Sequence, residues 1–159
     1  MSDLIRTFIA IELDSKIKKF LKQLQTEIKE IDGDIRWVKP EHVHLTMKFL
    51  GDISLKTVED LGKSLQIMSR SVHSFDIILS GLGSFPHLKN PRVVWVGVKD
   101  EHSELTSLAN SLERILEEFK IRTEKKNFHP HLTLGRVKSN KNIDQLAKFI
   151  ESHTISRPI

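Results

Sequence analysis

The chain repeats itself. Arg-x7-Asp opens two stretches, at Arg6–Asp14 and Arg92–Asp100, and each leads into His-x-His-Leu-Thr, at His42–Thr46 and His129–Thr133. Arg6 lies 38 positions before His44, and Arg92 lies 39 before His131. Between opening and motif, each copy carries a run of strand formers and then apolar residues at helical spacing. Two approximate strand–helix–strand copies, about 4–51 and 91–137, constrain the fold more than any other feature, because duplicated units of this kind bury their apolar faces on one another. They predict two similar lobes related by a pseudo-two-fold axis. No linker-like stretch longer than the Gly81–Pro91 loop separates them, so residues 1–159 read as one domain.

Within that frame the elements follow from local pattern. Arg6–Leu13 reads as a buried strand, and Asp14 and Ser15 offer capping oxygens to a helix. Ile17, Phe20, Leu21, Leu24, Ile28 and Ile31 form its apolar side, and Gly33 ends it. Further strands are expected at Ile35–Val38, His42–Leu50, Phe75–Leu82, Arg92–Lys99 and His129–Val137. Helices are expected at Ser54–Arg70, about Glu101–Phe119 and Asn142–Ser152. Gly81, Gly83, Pro86, Asn90 and Pro91 mark a loop, and Lys125-Lys126-Asn127 a polar turn. The content of 29% charged and 38% apolar residues suits a soluble globular chain. The absence of cysteine excludes disulfides, a thiolate nucleophile and a cysteine zinc site. No apolar run approaches the ~20 residues of a membrane span, and Met1-Ser2-Asp3-Leu4 has no signal-peptide character, so a cytoplasmic protein is expected. A net charge of +4 permits a polyanionic partner without demanding one.

The chemistry sits in the repeated motif. In a strand, residues two apart share a face, so His44 pairs with Thr46 and His131 with Thr133, while Leu45, Met47, Phe49, Leu132 and Leu134 turn to a core. Brought together by the pseudo-two-fold, two imidazoles and two hydroxyls would converge on one cleft. One neutral histidine can take a proton from water while a second, protonated, gives one to a leaving oxygen. Threonine hydroxyls can donate to non-bridging phosphate oxygens as charge builds there. That set suits phosphoryl chemistry. His-x-His without a carboxylate or cysteine in register is a weak zinc pattern, so neither metal nor cofactor is expected.

The tetrapeptides His44-Leu45-Thr46-Met47 and His131-Leu132-Thr133-Leu134 are followed by Phe49-Leu50-Gly51 and by Gly135-Arg136. Together they resemble the paired His-x-Thr-x motifs of the 2H phosphoesterase superfamily. The nearest branch is the RNA 2′,3′-cyclic phosphodiesterases, historically called 2′-5′ RNA ligases. Arg6-Thr-Phe-Ile-Ala-Ile, Gly81-Leu-Gly-Ser-Phe-Pro86 and Pro91-Arg-Val-Val-Trp95 are similar to that branch as well. The resemblance implies a bilobal α+β, LigT-like fold, with two antiparallel sheets lining a central cleft and helices outside. It implies hydrolysis of a 2′,3′-cyclic phosphate on an RNA end to a 2′-phosphate without a metal, with 2′-5′ joining as the reverse reaction. It makes His44 the proton donor to the 3′ oxygen, His131 the base on water, and Thr46 and Thr133 the phosphate holders. Relatives continue past the last helix into further strand, whereas here only Thr154–Ser156 looks extended before Arg157-Pro158-Ile159, an absent edge element or a shortened form.

Other residues carry weaker expectations. Lys48 shares the face of His44 and is a candidate for drawing in substrate phosphates, or a solvated lysine. Phe85, in its Gly/Pro loop, is a stacking candidate for a base; Phe49 and Trp95 read as core. Arg136 resembles a family arginine, yet strict alternation sends it to the face opposite Thr133 unless a bulge near Gly135 re-aims it. His42 and His129 fall on the cleft face by parity and read as solvent histidines at strand ends. Arg6 and Arg92 read as structural. Nothing marks an oligomer interface, so a monomer is expected. The other readings are an enzyme for a different cyclic or 2′-5′ nucleotide, and an RNA-binding module that grips phosphate without turnover.

Overall fold

The computed structural model describes residues 3–122 and 128–158. The strands are β1 (Leu4–Glu12), β2 (Ile35–Trp37), β3 (His44–Ser54), β4 (Ile78–Phe85), β5 (Val93–Lys99), β6 (His131–Val137) and β7 (Ser156–Pro158). The helices are α1 (Ser15–Lys29), α2 (Leu55–Ser69), α3 (Glu104–Glu118) and α4 (Ile143–Ser152), with a 3-10 turn at Pro40–His42. The turn expected at Lys125–Asn127 lies outside the described residues. None of the described helices is long and apolar enough to cross a membrane.

The repeated aspartates do the same local work in both copies. Asp14 Oδ1 accepts from Ile17 N at 2.8 Å and caps α1. Asp100 accepts from Leu105 N at 3.1 Å and Thr106 N at 2.9 Å, satisfying first-turn amides of α3 that have no helical partner. Burial pushes the Asp100 carboxyl up, but the hydrogen bonds from Thr106 and Leu105 outweigh it and hold the group below the usual aspartate range.

The chain forms two compact units. One contains Met1–Ile11, Thr46–Asp76 and Asp100–His129, with β1 paired to β3 and helices α2 and α3. Its core is Leu50, Leu61 and Leu116, with Ile9, Ile53, Leu65, Ile115, Phe119 and Ile121 packed against them. The other contains Glu12–Leu45, Ile77–Lys99 and Pro130–Ile159. There β6 is central, antiparallel to β5 on one side and to β2 and Leu45 of β3 on the other, and the sheet continues through β4 to β7. Its core includes Leu21, Leu24, Ile28, Leu45, Leu79, Val94, Val96, Leu132 and Leu134.

The copies are interleaved between these units. Strands β1 and most of β3 belong to one unit while the intervening α1 belongs to the other; β5 and β6 belong to the second unit and their α3 to the first. Leu45, the last residue of β3 in the second unit, pairs with Leu132 of β6.

Two expectations are corrected. The loop foreseen from Gly81 onward is strand as far as Phe85. Gly81 adopts φ +71°, where the register shifts between Leu79 and Leu82, and Gly83 gives the Trp95 indole its seat, since a Cβ there would lie 2.7 Å from Trp95 Cζ3. These glycines serve a bulge and a close approach within a strand. Phe49 is not core: it is 69% exposed, while the next residue, Leu50, is 7% exposed. The core face of β3 runs Leu45, Met47, Leu50, so alternation slips by one residue after Met47.

Candidate active site

Leu45 and Leu132 face each other across the β3–β6 ladder, and both are fully buried. Their neighbours in an antiparallel pair project to the opposite face. His44 therefore stands across from Thr133, with His131 two residues further along β6 on the same face. That places the two imidazoles as diagonal cross-strand neighbours, with Cβ atoms roughly 7 Å apart, a gap that a phosphate could fill. Both rings are half-buried. Thr46 follows on β3 with the parity of His44, half-buried between the buried Leu45 and Met47.

His44 is held in one tautomer. Its Nδ1 lies 2.8 Å from the carbonyl oxygen of His42. A carbonyl only accepts, so Nδ1 carries the hydrogen and proton exchange falls to Nε2. His42 is the end of the Pro40–His42 turn and not a strand residue. Parity placed its imidazole on the cleft face; its contribution is the main-chain oxygen. His129 is exposed, just before β6. Glu12, at the end of β1, hydrogen bonds to Lys18 Nζ at 2.7 Å. That bond and the lysine charge hold its carboxyl below the usual range, and the charge of His44 adds to the effect.

His131 is framed by aromatic rings. Phe85 meets it edge-on at a centroid distance of 4.9 Å, and Trp95 lies 6.2 Å away. Phe85 and Trp95 are themselves 5.1 Å apart. Phe85 ends a strand rather than lying in a loop, and its ring walls one side of the imidazole.

Arg136 is re-aimed by a bulge. Trp95 pairs with Thr133, but Val94 pairs with Gly135, so Leu134 has no partner on β5. Past the bulge, Arg136 pairs with Val93. Val93 and Trp95 share a face of β5, so Arg136 joins the face of Thr133 instead of the opposite one. The slip in β3 leaves Phe49 exposed, with its ring 6.2 Å from that of Phe8. Phe49 comes five residues after His44, as Arg136 comes five after His131. This shared spacing was the sequence signal for Phe49. Lys48 is placed differently from the expected phosphate cation: it forms an ion pair with Glu113 of α3, with 18% of its side chain exposed. Among the described residues, no three His, Asp or Glu side chains are grouped to hold a metal.

The chain is similar to known proteins along most of its length. The LigT-like phosphoesterase family matches residues 11–95 and 96–156. The chain belongs to that family. An RNA 2′,3′-cyclic phosphodiesterase of Methanothermobacter thermautotrophicus is 33% identical over 146 residues, covering 92% of this chain and 78% of the relative. One of the same description from Aquifex aeolicus is 36% identical over 149 residues, covering 91% and 78%. Among solved structures, E. coli LigT complexed with 3′-AMP superposes with a TM-score of 0.69 at 28% identity, covering 86% of this chain and 75% of that one.

Proposed function

We propose that this LigT-like phosphoesterase is an RNA 2′,3′-cyclic phosphodiesterase, opening the cyclic phosphate at an RNA end to a 2′-phosphate without a metal. The observation that carries the reading is the pinned His44. With Nδ1 committed to the His42 carbonyl, Nε2 is the one position from which it can give a proton, and His131 and Thr133 share its face across the Leu45–Leu132 couple. His131 takes a proton from water, whose oxygen bonds to phosphorus. The P–O3′ bond breaks, and the Nε2 proton of cationic His44 passes to O3′. The products are a 2′-phosphate and a 3′-hydroxyl, and solvent resets the two imidazoles. Thr46 and Thr133 donate to the non-bridging oxygens, and the Arg136 guanidinium meets the charge that grows there. Phe49 offers an open ring to a base. With a 5′-hydroxyl in place of water, the same transfers form a 2′-5′ linkage. The names of the relatives at 33% and 36% identity support the substrate class.

The test is product analysis. An oligoribonucleotide ending in a 2′,3′-cyclic phosphate should yield a 2′-phosphate by phosphorus NMR. A 3′-phosphate would overturn the assignment of His44 as donor to O3′, and absence of turnover would overturn the function.

A further inference from the structure

The strand bulge that aims Arg136 needs something to hold it. A bulge leaves its extra residue unpaired on one side, here on the β5 side of Leu134, and other partners must hold it in place. The Leu134 carbonyl accepts from Val38 N at 2.9 Å and from Gln25 Nε2 at 3.0 Å. The same Nε2 donates to the Val38 carbonyl at 2.8 Å. Gln25 is 1% exposed and sits in the buried row of α1 with Ile17, Leu21, Leu24 and Ile28. An amide in an apolar row has been desolvated for little packing gain, so its hydrogen bonds are what it contributes. Both partners are carbonyl oxygens, so the amide must present its NH2 group to them. One NH2 therefore ties the residue after β2 to the bulge in β6, two residues before Arg136.

We infer that Gln25 is a positioning residue for Arg136, acting through the bulge at Leu134. The inference rests on the proposed phosphodiesterase reading, in which Arg136 meets the phosphate. Without the amide, the bulge is free to slip to regular pairing, and one residue of slip turns Arg136 to the opposite face.

A double-mutant cycle tests this. Gln25→Met keeps length and volume but removes both donors, and should lower kcat for a cyclic-phosphate RNA end about 10- to 100-fold. Leu24→Ala, on the same helix, removes core packing without touching the bulge, and should lower Tm at unchanged kcat. If Gln25 acts through Arg136, adding Gln25→Met to Arg136→Ala should cause no further loss of kcat. Losses that multiply would overturn the inference, as would full activity of Gln25→Met. The same cycle read on the affinity for adenosine 2′-phosphate needs no turnover. Coupling there without any hydrolysis by the native chain would sink the proposed reaction and leave the positioning role standing; additive effects there would sink the positioning role alone.

Discussion

Replacing Gly83 by alanine tests the framing of His131. The new Cβ would fall well inside van der Waals contact of Trp95 Cη2 and Cζ2, and 2.7 Å from Cζ3. Ordinary carbon contacts lie at about 3.5–4.0 Å, so the indole would have to move by roughly 1 Å or more. It has little room, since Phe85 is 5.1 Å away by centroid and itself abuts His131 at 4.9 Å. Overpacking of this kind costs about 1–3 kcal/mol. For a chain of 159 residues that is a fall in Tm of roughly 2–12 °C. The displacement passes through Phe85 to the imidazole, and a misplaced base by about 1 Å costs on the order of 100-fold. Gly62→Ala is the internal contrast. Gly62 lies within α2 with nothing within 4 Å of a built Cβ, so alanine there should add about 0.5–1 kcal/mol through helix propensity alone. Thermal unfolding and steady-state hydrolysis of a nucleoside 2′,3′-cyclic phosphate read both variants. A Gly83→Ala protein as stable and active as the native chain would refute the wall of Trp95 and Phe85 behind His131.

Further expectations follow from the site and the caps. His44→Ala and His131→Ala should each lower turnover by about 10²- to 10⁴-fold with unchanged circular dichroism; a near-silent variant would break the acid–base pair. Because both proton transfers use imidazoles, rate against pH should be bell-shaped, and a flat profile between about pH 5 and 8 would count against it. Asp100→Ala removes the acceptor at the start of α3 and should cost about 1 kcal/mol at pH 7. Its carboxyl titrates below the usual range when folded, so its stabilisation is present at neutral pH and declines as pH falls from about 4 down through its lowered folded value. The gap in stability between native and variant should therefore close in acid, and denaturant titrations at pH 7 and pH 3 that show equal gaps would contradict this.

What the sequence made legible was whatever repeats with a fixed period. Apolar spacing located α1, α2 and α3, and the doubled aspartates, at matching positions, both bond first-turn amides, of α1 and of α3. What it concealed lies where the period breaks. Strict alternation buried Phe49, which is exposed; it left Arg136 to a bulge near Gly135, which the ladder has; and His42 falls in the turn before β3, where alternation does not apply. At Leu134 the extra residue is compensated from another element, by a glutamine whose place in an apolar helical row looks like noise when α1 is considered alone. Gly81 and Gly83 mislead for the opposite reason: their composition signals a loop, while the structure uses one for a bulge in β4 and the other for contact with an indole. Bulges are long-range decisions, since their cost is met by partners far away in sequence, and Gln25 is 109 residues from Leu134. The duplicated spacing was the one local trace of them. A sixth residue that differs between copies, Phe49 in one and Arg136 in the other, at the same distance from its histidine, is what a shared slip of register leaves behind once the two copies have taken different roles.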